Sequence, residues 1–418
     1  MTQGSSPRGT RELFIGRQPI LDREQASIGF ELQFRDVPAD GANTTSATAE
    51  MVCRAFAQLG LSDAFGSALT FIRVDEEFLA ADFVEFLPAA TVVLELAHRD
   101  LPSPDLIERC RALKALGYRF CLTGIAEIDQ DHLPLVEVSE WIKIDIEAVS
   151  AADLQRVTRA LGTLRRKLIA AGVATHAQAE VCMLLGFDLF QGNYFAEPRL
   201  VEGRKLDASI EGLLRISRLL AEEADLASID AAFRSEPALV INLLRLANSV
   251  GAGMRTRVTS IRNAIVAVGT KQLQRWLQLL IFAQGNRLDF ARNPLLLLAA
   301  LRGRFMEQLA ERCHPEVRRL KDPAFLTGLM SVVPAALGMS MTDVLSHVAL
   351  DQESRLALSH RQGVLGSLLE LLERYDANDL PGLEESLKAH GSRLTLSMLG
   401  EILADSVRWV QELGTEAG

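Results

Sequence analysis

Residues 141–190 read WIKIDIEAVS AADLQRVTRA LGTLRRKLIA AGVATHAQAE VCMLLGFDLF, and this stretch decides how the first half of the chain folds. Three short apolar runs, Trp141–Ile144, Lys167–Ala171 and Leu189–Phe190, are separated by amphipathic patterns over Ala152–Arg166 and His176–Leu185. The runs lack a clean period of two, which suits strands buried on both faces of a parallel sheet. Gly186 falls where the second helix needs a left-handed residue to stop. The stretch therefore reads strand, helix, strand, helix, strand.

Working outward, the same rhythm fills the preceding residues. Strands are expected at Phe14–Ile20, Ile28–Phe34, Leu69–Val74, Thr91–Leu96 and Tyr118–Thr123, with helices at Ala47–Leu59 and Pro104–Leu116, closed by Gly60 and Gly117. Repeated βα units of this number make either a closed α/β barrel or a doubly wound sheet, and periodicity does not choose between them. From about Asp207 the strand signal stops. Helical patterns follow at Ser209–Glu223, Ser228–Arg234, Pro237–Ser249, Ile261–Val268, Lys271–Ala283, Pro294–Arg312, Pro323–Leu337, Met341–His347, Gly363–Tyr375 and Leu394–Leu413, with Pro237, Pro294 and Pro323 in first-turn positions. The change of pattern near Pro198–Asp207 predicts a flexible start over 1–11, an α/β domain over 12–200 and an all-helical domain over 201–418.

Bulk properties narrow the function classes. A chain of 418 residues is too long for one ordinary core, and 48% hydrophobic with 23% charged residues is ordinary for a soluble protein. No apolar run approaches the ~20 residues that cross a bilayer. The longest, Leu295–Leu301, is bounded by Pro294 and Arg302, and Met1–Arg11 has no apolar signal stretch. The five cysteines (Cys53, Cys110, Cys121, Cys182, Cys313) are scattered and never form a CxxC pair, which argues against disulfides or zinc and for a reduced, cytoplasmic setting. The net charge of −10 sits almost wholly in residues 1–200, with 19 Lys and Arg against 28 Asp and Glu. Such a surface repels phosphate backbones, so non-specific nucleic-acid binding by the first half is not expected, while the charge of the nearly balanced second half decides nothing. Nor, without a spanning run, is a membrane an expected partner.

Ordered landmarks carry a family resemblance. Gly16-Arg-Gln-Pro-Ile-Leu-Asp22, Ile28-Gly-Phe-Glu-Leu-Gln-Phe-Arg35, Trp141-Ile-Lys-Ile-Asp145, Lys167-Leu-Ile-Ala-Ala-Gly-Val-Ala-Thr175 and Gly186-Phe-Asp-Leu-Phe-Gln-Gly-Asn-Tyr-Phe-Ala-Glu-Pro198 resemble, in order, the EAL-domain cyclic di-GMP phosphodiesterases. The resemblance implies a TIM-type barrel with its site at the C-terminal ends of the strands. It also implies that hydrolysis needs two divalent cations in an Asn, Glu and Asp cage, which polarise the phosphoryl oxygens and generate hydroxide. Glu31 matches the glutamate of the EAL triplet, which here reads Glu-Leu-Gln, and Glu95 matches another acid. Arg73 stands at the asparagine position, His98 at an acidic one, Thr123 and Gly124 at two adjacent aspartates, and Ala171 and Ala174 at two glutamates. The expectation is a barrel without catalytic residues, metal or cofactor. Lys143, Gln18, Arg35 and Gln191 match nucleotide-site positions, so Gln18, Glu31, Arg35, Lys143 and Gln191 are the candidate cyclic di-GMP-binding residues. The bland alternatives are that Gln18 and Pro19 shape a strand end and that Arg35 and Lys143 pair with barrel carboxylates.

In the second half, Phe233-Arg-Ser-Glu-Pro-Ala-Leu-Val-Ile-Asn-Leu-Leu-Arg-Leu-Ala-Asn-Ser249 and Thr259-Ser-Ile-Arg-Asn-Ala-Ile-Val-Ala-Val-Gly-Thr-Lys-Gln-Leu-Gln-Arg-Trp276 resemble the HDOD domain, a relative of HD phosphohydrolases. None of the seven histidines precedes an aspartate, so the metal-binding His-Asp dyad is absent, and His347 and His360 are expected to cap or pack helices. Ile261–Val268, Gly269 and Lys271–Ala283 also admit a helix-turn-helix reading with Arg255, Arg257, Arg262, Lys271 and Arg275 on phosphates. The wide apolar face Leu273, Trp276, Leu277, Leu280 and Ile281 favours a packed helix pair instead. Arg302, Arg304, Arg312, Arg318, Arg319 and Lys321 form a basic cluster that reads as a solvated surface or a dock for an acidic partner, and Trp409 is expected in the core. Taken together, the sequence predicts a signalling scaffold whose partners are other signalling proteins, with cyclic di-GMP reception as the alternative and phosphodiesterase activity as a third reading.

Overall fold

The computed structural model describes residues 12–37, 52, 56, 68–97, 102–125, 130–197, 208–236, 239–240, 243–244, 246–247, 258, 260–282, 293–348, 350–390 and 394–417. The expected flexible start at 1–11, His98, Arg255, Arg257 and most of the helices expected at Ala47–Leu59 and Pro237–Ser249 lie outside them.

Eight strands close into a barrel in sequence order: β1 (Glu12–Asp22), β2 (Ser27–Val37), β3 (Leu69–Val74), β4 (Val92–Ala97), β5 (Arg119–Thr123), β6 (Trp141–Asp145), β7 (Lys167–Ala171) and β8 (Leu189–Gln191). Closure settles the choice that periodicity left open. β2 to β8 run parallel, whereas β1 runs antiparallel to both its neighbours. It pairs with β2 along its full length, from Glu12↔Val37 to Leu21↔Ser27, but with β8 only at Ile20, Leu21 and Asp22.

Strand alternation sorts the side chains. Ile72, Leu94, Leu122, Ile142, Leu168 and Phe190 are buried on one parity, while Ile20, Phe71, Val93, Cys121, Trp141, Ile169 and Leu189 form one apolar cluster on the other. Phe71 and Trp141 meet edge to face at 5.5 Å. Two residues further toward the strand ends, the cluster's parity carries Glu31, Arg73, Glu95, Thr123, Lys143 and Gln191. An apolar plug therefore floors a polar layer.

Helices α1 (Glu76–Ala80), α2 (Pro104–Ala115), α3 (Leu133–Val138), α4 (Ala151–Gly162) and α5 (His176–Leu184) connect these strands. Ser103 and Ser150 cap α2 and α4 by accepting from the amides of Leu106 and Asp153. The helix expected through Arg166 stops at Gly162, because the chain turns through Arg165 at φ 53° before entering β7.

The chain divides into two compact units. The first comprises residues 1–194 with Tyr375–Asp379 and Leu387–Arg408, and the second Phe195–Arg374 with Leu380–Ser386 and Trp409–Gly418. The second half is helical, with α6 (Ala208–Ala221), α7 (Leu226–Arg234), α8 (Ile261–Val268), α9 (Thr270–Leu280), α10 (Pro294–Cys313), α11 (Lys321–Met330), α12 (Val333–Leu337), α13 (Met341–His347), α14 (Gln352–His360), α15 (Gly363–Asp376), α16 (Leu380–Ala389) and α17 (Leu396–Ala417). The single helix expected over Pro323–Leu337 is two, since Pro334 has no N–H for a bond to the Met330 carbonyl and breaks the ladder. No described helix is long and apolar enough to cross a membrane.

The basic residues of the second unit are largely engaged within it. Leu273, Leu277 and Leu280 of α9 are buried. Lys271 and Arg275 both bind Asp322, Arg275 also binds Glu307, and Arg262 approaches Asp230 at 3.9 Å. Arg304 pairs with Glu307 and Lys321 with Glu311. Trp409 is half-buried, edge-on to Phe325 at 5.8 Å, and His360 ends α14 with Nδ1 2.6 Å from the Ser359 hydroxyl.

Candidate functional site at the barrel mouth

The polar layer is organised around Lys143 in β6. Its Nζ donates to Glu31 Oε2 of β2 at 2.8 Å and to Glu95 Oε2 of β4, and lies 5.6 Å from the centre of the Phe71 ring. Arg73 of β3 reaches the other oxygen of Glu95 at 3.4 Å. Gln191 of β8 donates to Glu31 Oε2 and, at 2.7 Å, to Gln18 Oε1 of β1. Gln33 donates to Glu31 Oε1 at 3.4 Å. Six strands thus meet through two carboxylates, two cations and three amides.

Burial makes this layer electrostatically sensitive. Lys143 and Gln191 are 2% exposed, Glu31 3% and Glu95 0%, whereas half of the Arg73 side chain remains in solvent. Burial opposes charge on Glu31, but the Lys143 ammonium and hydrogen bonds from Lys143 and Gln191 outweigh it, holding the carboxyl below its ordinary range. At Glu95 burial, helped by repulsion from Glu31, prevails over Lys143 and Arg73 and raises the carboxyl. Burial also opposes charge on Lys143, yet the two glutamates win and raise its ammonium. Cys121, directly below, is pushed well up by burial and then by Glu95, so its thiol stays neutral and unreactive.

Of the residues singled out in the sequence, Gln18, Glu31, Lys143 and Gln191 come together here, with Arg73 and Glu95. Arg35 lies on β2 opposite Phe14, and its side chain is outside the described ones. Thr123 is buried and sits opposite Lys143 in the β5/β6 ladder, and Gly124 follows at φ 78°. At the end of β7 the backbone amide of Ala174 donates to Gln178 Oε1, within the capping box that Thr175 and Gln178 build for α5. Gln33 and Phe71 were not foreseen. Alternation along β2 from Glu31, and along β3 from Arg73, is the signal that places them on the same face of the sheet.

Among the described residues, no group of three or more His, Cys, Asp or Glu side chains gathers as a metal-binding cluster. The carboxylate oxygens of Glu31 and Glu95 instead face an ammonium, a guanidinium and two amides.

Comparison with known proteins follows the same division. The EAL domain model matches residues 50–198 and the HDOD domain model residues 211–357. The cyclic di-GMP phosphodiesterase CdgJ of Vibrio cholerae is 27% identical over 412 residues, covering 96% of this chain and 93% of that protein. The uncharacterized protein YuxH of Bacillus subtilis is 23% identical over 411 residues, covering 96% and 98%. Among solved structures, an EAL domain protein from Listeria monocytogenes aligns with a TM-score of 0.36 at 19% identity, over 44% of this chain and 87% of that one.

Proposed function

Because the chain belongs to the two-domain family that joins an EAL domain to an HDOD domain, we propose that it is a non-catalytic scaffold of cyclic di-GMP-related signalling, working in the cytoplasm by binding other signalling proteins. One observation carries this reading: Lys143 and Arg73 occupy the carboxylates from which a catalytic cation would have to be held. Two divalent cations need several hard oxygen ligands, and the family's other ligand positions here are Arg73, His98, Thr123, Gly124, Ala171 and Ala174. A guanidinium that repels cations, an imidazole, one neutral hydroxyl and three side chains without any oxygen do not supply the carboxylate cage such a pair needs. The self-neutralised layer holds the barrel mouth as a shape, and the HDOD half, without a His-Asp dyad, contributes a second docking module.

A second reading, reception of cyclic di-GMP without hydrolysis, is favoured by Gln191 Oε1, which is buried without a hydrogen-bond donor beside Gln18. A guanine N–H could supply that donor, and an arginine such as Arg35 can grip phosphate without metal. The name of CdgJ supports a cyclic di-GMP context and is the reason for keeping hydrolysis as a third reading.

Calorimetric titration of the full-length protein with cyclic di-GMP, with and without magnesium and repeated on Arg35→Ala, separates the first two. The scaffold gives no heat and no thermal stabilisation. A receptor binds at micromolar concentration or tighter, and the variant loses the binding.

A further inference from the structure

Among the described residues, the large apolar side chains exposed on the barrel half are four, and they fall in two pairs. Phe86, 82% exposed, ends the 3-10 helix Asp82–Phe86 before β4, and Leu116, 59% exposed, follows α2 before β5. The Tyr118 hydroxyl ties these two connections together, lying 2.6 and 2.8 Å from the Val84 and Leu87 carbonyl oxygens. Val181 and Leu184, 53% and 89% exposed, stand three residues apart on the outer face of α5 before β8. Each pair precedes the N-terminal end of a parallel strand, so both lie toward the end of the barrel opposite the mouth. Apolar side chains scattered singly over a surface need no explanation, whereas grouped ones mark a contact.

The pairs differ in the charge around them. Residues 76–116 carry eight Asp and Glu against four Lys and Arg, and of those acids Glu95 is buried in the mouth. Glu85, beside Phe86, is half-exposed with Arg109 at 3.4 Å, and Lys114 turns its ammonium onto the Val138 carbonyl at 2.6 Å. Residues 154–188 carry five Lys and Arg against two Asp and Glu, whereas the remainder of 1–200 holds fourteen against twenty-six. Arg159, Arg165 and Lys167 of this basic stretch are exposed, and Glu180 is the one carboxylate on α5. The Leu168 amide, next to Lys167, donates to Asp188 Oδ2 at 2.9 Å, four residues past Leu184. The cations at the start of β7 therefore flank the end of α5.

We propose that these two faces bind each other between copies of this chain, the acidic Phe86–Leu116 face of one copy against the basic Val181–Leu184 face of the next. Apolar side chains leave water at the centre of such a contact while opposite charges meet at its rim. Each face repels itself by like charge, so the contact is heterologous rather than two-fold. Phe86 and Leu116 adjoin β4, and α5 leads into β8, four strands away around an eight-stranded barrel. Faces on opposite sides cannot both engage one partner, so copies add head to tail. The contact is small, below about 1,200 Å², which makes the association weak and concentration-dependent. It is independent of what the barrel mouth binds.

Sedimentation velocity of the full-length protein tests this with two variants at exposed positions, Phe86→Ser and Leu184→Ser. The parent's sedimentation coefficient should rise with protein concentration and fall back toward the monomer's as salt is added. Each variant alone should associate at least about tenfold more weakly, the loss expected for one apolar side chain no longer buried. An equal mixture of the two should recover the parent's affinity but stop at a dimer, because each variant keeps the face that the other lacks. A parent that sediments as a monomer at every concentration would overturn the proposal. Association that either variant keeps at the parent's strength would do so too. A mixture no stronger than its components, or one that grows past a dimer, would show that other surfaces make the contact and would equally overturn it.

Discussion

Lys143 is held in place by two glutamates, and removing it separates their fates. Lys143→Met leaves Glu31 and Glu95 buried together without their ammonium, at an expected cost of about 3–5 kcal/mol in denaturant unfolding. Adding Glu95→Gln should recover part of that loss. A cost under about 1 kcal/mol for Lys143→Met would mean the cluster is hydrated and weakly coupled. The two carboxyls also carry opposite pH signatures. Glu31 is depressed in the folded protein, so the stability it contributes is present above its unfolded value and is lost as pH falls through its lowered folded value. Glu95 is raised, so its contribution is present at low pH and is lost as pH rises through its folded value. Glu95→Gln should therefore gain stability relative to the parent as pH rises above the ordinary carboxylate range, measured by thermal unfolding across a pH series. A pH-independent difference between the two would contradict the shift assigned to Glu95.

At the scale of elements, the strands were legible because each is a short apolar run set between polar turns. Their direction was not. Alternation along Phe14–Ile20 carries no sign, so nothing in the residues announced that β1 runs against its neighbours. Four site residues, Gln18, Glu31, Lys143 and Gln191, were readable from their motifs, but their mutual bonding was not, because barrel closure joins positions up to 173 residues apart. The helices at Gln352–His360 and Leu380–Ala389 were missed, the first although Asp351 caps it by accepting from the Ser354 amide. Short helices offer too few turns for a periodic pattern to emerge. The turn after β8 depends on Gly192, at φ 152°, where a Cβ would overlap the Val173 carbonyl oxygen. Gly192→Ala should destabilise the barrel by about 2–4 kcal/mol, and a melting temperature equal to the parent's would show that the loop can move aside.

At the scale of the whole molecule, amphipathic pattern marked the helices of the second half without saying which core they serve. Residues 394–408, most of the helix expected over Leu394–Leu413, gather with the barrel, and the period of an apolar stripe is the same whichever surface it covers. On the proposed function, a barrel whose mouth is closed by its own charges, joined to a helical module, regulates by what it binds. The most direct test is to incubate the full-length protein with cyclic di-GMP in magnesium and in manganese and follow the nucleotide over time. The scaffold reading predicts that the nucleotide persists at the rate of a protein-free control with either metal. Metal-dependent loss of cyclic di-GMP that disappears in Glu31→Ala would contradict it and make the chain a phosphodiesterase.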